Sequence, residues 1–163
     1  MDDLKLSFLD IDGVLNSSRS VAALGQAPKD YDPTTWEPYF DPIAVKLYRR
    51  FVRETGAKTV LSTSWRHQEG MEAQLADFLQ VDIVGSTPYL PGERRGMEVR
   101  QYFTDHDLSP LIVPYVIFDD RVDFLHEQRG HFVQVFAHDG LSCDNFYNAL
   151  RILNVRVEPR AIV

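Results

Sequence analysis

The sequence is poor in cysteine and in positive charge. Of its 163 residues one is a cysteine, Cys143, which excludes an internal disulfide and a cysteine-rich zinc site and suits a reducing compartment. Lysine and arginine number 17 against 24 acidic residues, giving a formal net charge of −7. That balance argues against a protein that binds the nucleic-acid backbone without specificity, because such proteins need a basic surface.

Long apolar runs are missing as well. No stretch approaches the length of a membrane-spanning helix, and residues 1–5 lack the basic and apolar regions of a signal peptide. We therefore expect a cytoplasmic protein that does not associate with membranes. With 44% hydrophobic residues, the chain has the size and composition of one ordinary domain, and we expect residues 1–163 to form it. No motif predicts a particular oligomeric state.

The most informative segment is a short apolar run that ends in two carboxylates, Asp10 and Asp12, followed by Gly13. If residues 4–9 form a buried strand, Asp10 lies at its carboxyl end, where ligands bind in open α/β sheets. Asp12 then faces the same crevice from the following turn. Two carboxylates held together repel each other, and a divalent cation or a shared proton compensates for the repulsion.

Three other interpretations apply to an Asp-x-Asp-Gly segment: a surface turn, a calcium loop, and the metal-binding pair of a sugar-nucleotide transferase. A calcium loop needs further oxygen ligands at alternating positions. Val14 and Leu15 follow the glycine here, so that interpretation fails. The surface turn and the transferase remain alternatives to a catalytic pair.

Predicted strands and helices alternate along the chain, which favours an α/β fold. Apolar stretches predict strands at 4–9, 58–63, 81–84, 113–120 and 132–136, and apolar residues at helical spacing predict helices at 42–56, 71–79, 97–103 and 142–153. Residues 17–41 show no sustained period, and we expect a long loop or flap there. This alternation predicts a Rossmann-like three-layer α/β/α sandwich with a mostly parallel central sheet.

In such a sheet the carboxyl ends of the strands share one edge, so Asp10, Asp12, Thr63 and Asp119 converge although they are distant in sequence. Their order resembles the haloacid dehalogenase (HAD) superfamily, whose motifs are Asp-x-Asp, a strand ending in Ser or Thr, a Lys or Arg, and an acidic pair. The segments 12–16, 62–66 and 139–141 further resemble small HAD domains associated with RNA-repair proteins.

The resemblance implies roles for the acidic residues. Asp10 would be the nucleophile that forms an aspartyl-phosphate, and Asp12 the general acid and base. Mg²⁺ would be held by Asp10, the backbone carbonyl of Asp12, and Asp119, with Asp120 as the alternative. Asp123 would orient metal-bound waters or be an exposed acid at a helix start. Dehalogenases of this superfamily lack the second aspartate, because a halide leaves without needing a proton. The presence of Asp12 therefore argues against dehalogenation.

The resemblance also implies that Thr63 and Arg95 contact the phosphoryl group. Ser62 or Ser64 could replace Thr63, and Arg94 could replace Arg95. Most members of the superfamily have lysine where this chain has arginine, which offers bidentate phosphate contacts. We assign substrate binding to four further polar side chains, those of Asn16, Ser64, Arg66 and Arg94.

The spacing between motifs leaves no room for a separate cap domain. An open site admits large substrates, and we expect a Mg²⁺-dependent phosphatase acting on a nucleotide or a nucleic-acid end. A phosphotransferase, or a non-catalytic module that binds phosphate or a partner, is the alternative. We expect Trp65 and the aromatics of the 17–41 segment to pack in the core rather than to bind a ligand. These aromatics are Tyr31, Trp36, Tyr39 and Phe40.

Overall fold

A five-stranded parallel sheet forms the centre of the protein in our computed structural model, which describes residues 4–27 and 30–157. The strands lie in the order β3-β2-β1-β4-β5, so the first strand of the chain is central. They are β1 (Leu6–Leu9), β2 (Lys58–Leu61), β3 (Ile83–Ser86), β4 (Tyr115–Asp119) and β5 (Phe132–Gln134). The predicted α/β class and the parallel sheet are confirmed.

The described part of the chain also contains six α-helices and three 3₁₀ segments. The helices are α1 (Ser18–Leu24), α2 (Pro33–Trp36), α3 (Pro42–Thr55), α4 (Met71–Leu79), α5 (Arg95–Asp105) and α6 (Cys143–Ile152). The 3₁₀ segments are Glu37–Tyr39, Ser64–His67 and His126–His131. None of the helices in residues 4–27 and 30–157 combines the length and the apolar character needed to cross a bilayer.

The helices lie on both faces of the sheet, and β1 shows how its residues divide between the two. Phe8 belongs to the core beneath α5, with Val99 and Tyr102. Leu9 points to the opposite core, which α3, α4 and α6 cover. This alternation along one strand produces the three-layer sandwich that the sequence predicted.

Helix α3 shows why its boundaries were predictable. The Asp41 side chain accepts hydrogen bonds from the backbone N–H groups of Ile43 and Ala44, and Pro42 occupies the first helical position. Gly56 ends the helix in the left-handed conformation, with φ of 69°. The observed bounds agree with the prediction to within one residue.

The segment at 17–41 differs from the expected loop, because α1, α2 and a 3₁₀ turn lie within it. Helix α1 has no buried residue, so no apolar period marks it in the sequence. The Ser17 side chain caps its N-terminus by accepting a hydrogen bond from the Ser20 backbone N–H. Trp36 and Phe40 are buried and pack against each other, as expected for core aromatics. Pro28 and Lys29 lie outside the described residues.

The predicted second strand is shorter than expected at its carboxyl end. β2 stops at Leu61, and Thr63 instead caps the 3₁₀ segment Ser64–His67, its Oγ1 accepting a hydrogen bond from the Trp65 backbone N–H. A tight turn therefore follows the strand immediately. It directs the residues after β2 towards the edge of the sheet where β1 also ends.

Candidate active site

Three carboxylates meet where β1 and β4 end. The backbone N–H of Asp10 donates a 3.0 Å hydrogen bond to the Phe118 carbonyl, which fixes Asp10 beside Asp119 at the end of the neighbouring strand. Oxygen atoms of Asp10, Asp119 and Asp120 all lie within 4.8 Å of one another. Asp119 is fully buried and Asp10 is 4% exposed. The predicted convergence of the first and last acidic motifs is therefore present.

The donor set of this cluster fits a small divalent cation. Carboxylate oxygens are hard ligands of the type that Mg²⁺ and Ca²⁺ prefer, and the oxygens of these three residues lie close enough together to share one ion. Gly13, with φ of 80°, packs against Asp120 so closely that an added Cβ would lie 2.8 Å from the carboxylate carbon. The backbone therefore forms a cradle at the cluster that requires glycine.

Arg95 lies between two of the carboxylates. Its Nη1 is 3.2 Å from Oδ2 of Asp10 and 3.0 Å from Oδ2 of Asp119, and it also donates to the backbone carbonyl of Ser62. Burial disfavours the guanidinium charge, but the carboxylates of Asp10 and Asp119 outweigh it and raise the pKa of Arg95. Arg94, the other arginine considered, is exposed, and its side chain does not cap the helix.

Burial disfavours the charged forms of Asp10 and Asp119. It raises the pKa of Asp10 to about 6, although Arg95, the Ile11 backbone N–H and Thr63 act to lower it. It raises the pKa of Asp119 to about 8, where repulsion from Asp10 adds to the effect and Arg95 opposes it. A single guanidinium does not balance the cluster, which is the electrostatic condition under which a cation binds.

Asp12 is exposed to the cavity, and donors hold both of its oxygens. The indole Nε1 of Trp65 donates to Oδ2 at 2.9 Å, and the Asn16 amide Nδ2 donates to Oδ1 at 2.8 Å. Asn16 also accepts a 2.9 Å hydrogen bond from the Gly13 backbone N–H. Its amide therefore orients Asp12. Asn16 also lines the cavity at the carboxylates, and its role in substrate binding stays a prediction.

Trp65 is a site residue that the sequence analysis placed in the core alone. The side chain is 4% exposed, so its packing role is real, but its one polar atom reaches Asp12. Its position two residues after Thr63, in a motif that ends a strand, was the available signal. A buried indole N–H normally has a hydrogen-bond acceptor, and here the acceptor is the Asp12 carboxylate.

The three hydroxyl residues after β2 lie in different environments. Thr63 is fully buried, and its hydroxyl acts to lower the pKa of Asp10, so it lies beside that carboxylate. Its contact with a phosphoryl group stays a prediction. Ser64 is exposed and lines the cavity at the carboxylates, whereas the Ser62 hydroxyl is buried without a partner among the described residues. Thr63 and Ser64 are thus the two candidates that reach the site.

Arg66 is not among the residues that line the cavity at the carboxylates, and its guanidinium forms an ion pair with Glu98. Nη2 of Arg66 lies 2.9 Å from each Glu98 oxygen, and both side chains are at least nine-tenths buried. Glu98 was missed in the sequence analysis. It lies four residues before the buried Tyr102 on α5, so an acid on the apolar face was the signal available.

Asp123 is neither exposed nor in the carboxylate cluster. Its Oδ2 accepts a 3.4 Å hydrogen bond from the backbone N–H of Arg95, at the start of α5. Its other oxygen is buried without a partner in the part of the chain that the structure describes. Asp123 therefore supports the first turn of the helix that supplies Arg95.

The carboxylates open into a cavity of about 660 Å³, whose walls include Asp10, Asp12, Arg95 and Asp120. Another cavity, of about 520 Å³, lies beside the end of α6, and no acidic residue lines it. Of these two cavities in the described part of the chain, the first has both a possible set of metal ligands and the Arg95 guanidinium, so it is the candidate active site.

An Asp-x-Asp turn after the central strand, a hydroxyl after its neighbour, a buried arginine and an acidic pair define a domain of the HAD type. Residues 6–146 match the family described as the HAD domain in Swiss Army Knife RNA repair proteins, and the chain belongs to that family. The resemblance drawn from the sequence is thereby confirmed. No curated protein and no solved structure matches the chain significantly.

Proposed function

We propose that the protein is a Mg²⁺-dependent phosphomonoesterase that forms an aspartyl-phosphate on Asp10, with a nucleotide or a nucleic-acid end as its substrate. The observation that supports this most strongly is the placement of Arg95 between Asp10 and Asp119 beside a separately oriented Asp12. One carboxylate is thus buried against a cation, while the other is exposed to the cavity. The two therefore suit different tasks.

In the first step, a carboxylate oxygen of Asp10 attacks the phosphorus of the ester. The bond from phosphorus to the leaving oxygen breaks, and Asp12 transfers a proton to that oxygen. Arg95 offers guanidinium N–H groups to the phosphoryl oxygens, where charge develops in the transition state. Thr63 and Ser64 supply hydroxyl donors from the end of β2.

In the second step, Asp12 takes a proton from water, which attacks the phosphorus of the aspartyl-phosphate. The bond between phosphorus and Asp10 breaks, releasing inorganic phosphate and restoring both carboxylates to their starting states. Trp65 and Asn16 hold Asp12 in place through both steps because each donates to one of its oxygens. The cycle therefore needs one residue that bonds to phosphorus and one that moves the proton.

The Mg²⁺ would be held by Asp10, Asp119, Asp120 and the backbone carbonyl of Asp12. When bound, it would neutralise phosphate charge and so reduce the repulsion that the Asp10 carboxylate meets. The substrate class is supported by the family description, which names RNA repair proteins, and by the open cavity at Asp12.

Replacing Asp10 by asparagine tests the mechanism. Asp10→Asn should abolish turnover of an aryl phosphate and of a panel that contains mononucleotides, 3′- and 5′-phosphorylated oligonucleotides, sugar phosphates and phosphopeptides. Asp144→Asn, an exposed aspartate in the first turn of α6, is the matched control and should retain activity. Retained turnover by Asp10→Asn would overturn the mechanism. Metal-dependent binding without turnover of any ester by the wild-type protein would favour a binding module instead.

A further inference from the structure

A second cavity adjoins the reaction centre. It has a volume of about 190 Å³, and Ser64, Arg95 and Arg121 line both this cavity and the larger one. The shared wall places the small cavity next to the proposed phosphoryl site. A substrate whose phosphate lies at Asp10 can therefore extend its remaining part into this space.

The far wall of the small cavity includes an exposed aromatic ring. Tyr89 is 60% exposed, although it is a large side chain with an apolar face. The His67 ring meets it edge to face, with the ring centroids 5.0 Å apart and the planes at 89°. The Arg66 guanidinium carbon lies 6.0 Å from the Tyr89 centroid, at the limit of a cation–π contact.

The loop that carries Tyr89 is fixed on both sides by the Arg66–Glu98 ion pair. Glu98 accepts a 3.1 Å hydrogen bond from the backbone N–H of Leu90, the residue after Tyr89. The hydroxyl of Thr87, two residues before Tyr89, accepts a 3.2 Å hydrogen bond from Arg66. The Thr87 backbone N–H also donates to the carbonyl of Leu61, at the end of β2.

This arrangement gives the buried ion pair a use beyond stability. An ion pair taken out of water contributes little net free energy, whereas its geometry can fix the groups bonded to it. Here those groups are Thr87 and Leu90, at the two ends of a short loop in which Tyr89 lines the cavity. The loop that carries the Tyr89 ring is therefore pre-organised, and binding to the ring requires little ordering of the chain.

We infer that Tyr89 stacks on a nucleobase of the substrate, which makes it the residue that favours nucleotides and nucleic-acid ends over other phosphate esters. The inference rests on the proposed function, since it concerns the non-reacting part of the same substrate. A nucleobase offers a flat π-face to Tyr89 and polar edges to the charged rim of the cavity, where Arg121 and Glu93 lie. A sugar phosphate has no such face.

Kinetics on substrates with and without a base test this inference. Tyr89→Ala should raise KM for adenosine 3′- or 5′-monophosphate and for a phosphorylated oligonucleotide end about tenfold or more, with kcat unchanged. KM for ribose 5-phosphate and for an abasic oligonucleotide end should not change. Tyr89→Phe keeps the ring and should behave as wild type. Tyr147→Ala removes another exposed tyrosine, 47% accessible, from α6, outside the site, and should have no effect.

The outcomes separate this inference from the function on which it rests. Unchanged KM for the nucleotides, or an equal rise for ribose 5-phosphate, would overturn the stacking role while the phosphatase activity stands. If wild type hydrolyses no ester, the proposed function fails. The stacking role of Tyr89 is then tested by calorimetry, which compares the binding of adenosine monophosphate to wild type and to Tyr89→Ala. Binding weakened about fivefold or more by the substitution supports stacking, and equal binding overturns it. Comparison of mononucleotide with oligonucleotide identifies which source of the base is used.

Discussion

The indole N–H of Trp65 donates a 2.9 Å hydrogen bond to the carboxylate of Asp12, 53 residues earlier in the chain. The same indole packs edge to face on Trp36 and Phe40, with ring centroids 5.5 and 5.7 Å away. One side chain thus joins the aromatic core to the proposed general acid. Packing of the core therefore helps to orient the Asp12 carboxylate.

Trp65→Phe should lower kcat roughly 10- to 100-fold, because a hydrogen bond to a charged group contributes about 1.5–3 kcal/mol. KM should change little, since Trp65 does not line the cavity walls that the structure describes. Steady-state kinetics would measure both constants.

Trp36→Phe is the matched control for this substitution. Trp36 belongs to the same aromatic cluster, but its indole donates to the backbone carbonyl of Tyr31 at 2.8 Å rather than to a carboxylate. Trp36→Phe should lower the melting temperature and leave kcat unchanged. Equal losses of kcat in both variants would show that packing, and not the hydrogen bond to Asp12, is responsible.

Arg95→Ala should reduce kcat at least about 100-fold, as expected when a group that stabilises transition-state charge is removed. Arg95→Lys retains a charge but not the planar guanidinium beside Asp10 and Asp119, so an intermediate loss is expected. Arg94→Ala is the control, since that neighbour is exposed, and any effect should fall on KM alone. A larger kcat loss for Arg94→Ala would reverse the assignment of the two arginines.

The sequence predicted the acidic part of the site because of where the aspartates stand. A carboxylate directly after a buried apolar strand must lie at the strand's carboxyl end, and parallel strands bring those ends together. Asp10 and Asp119 follow this rule, and their strands are adjacent in the sheet. Arg95 could be separated from Arg94 only by the structure, since the choice depends on which side chain faces the sheet.

The supporting residues could not be predicted, because their roles arise from contacts between distant segments. Trp65 has an ordinary core environment apart from one bond to Asp12, and Glu98 is recognisable only once Arg66 is placed beside it. Helix α1 was also missed, since an exposed helix held by a local cap has no apolar period. Side chains defined by a tertiary partner leave little trace in local sequence.

The stability of the metal-free protein should fall as pH rises. The pKa values of Asp10 and Asp119 are raised, to about 6 and about 8, above the ordinary 3.8. The folded state therefore holds protons that the unfolded state releases, so the stabilisation from these groups is complete below about pH 4 and lost as pH rises through 6 to 8. Urea midpoints in chelator should decrease from pH 5 to pH 8.5.

Adding Mg²⁺ should restore stability most at the upper end of that range, where the carboxylates of the cluster are ionised. Asp119→Asn should flatten the decline, because it removes the group with the higher pKa. Asp144→Asn should leave the slope as in wild type, since that aspartate is exposed on α6. A stability profile independent of pH in the wild-type protein would contradict the raised pKa values.

Gly96→Ala should destabilise the protein by about 1–3 kcal/mol and lower kcat. An added Cβ would lie 2.6 Å from the backbone nitrogen of Leu125 and 2.9 Å from the Cα of Phe124, so backbone must move. Because Gly96 follows Arg95 in the first turn of α5, that movement would displace the guanidinium. Gly130→Ala, with nothing within 4 Å of its Cβ, should be tolerated in urea denaturation and kinetics.

Gly13→Ala should weaken metal affinity and activity beyond its cost in stability. The backbone there has φ of 80°, so alanine adds strain of about 1–2 kcal/mol, and its Cβ would lie 2.8 Å from the Asp120 carboxylate. Gly25→Ala separates the two effects, because φ is 79° but nothing lies within 4 Å of its Cβ. Both variants should lose similar stability in chelator, and only Gly13→Ala should raise the Mg²⁺ concentration needed for half-maximal activity. An equal Mg²⁺ requirement in both variants would mean that Asp120 can move without loss of the metal. Asp10 and Asp119 would then be the carboxylates that hold Mg²⁺.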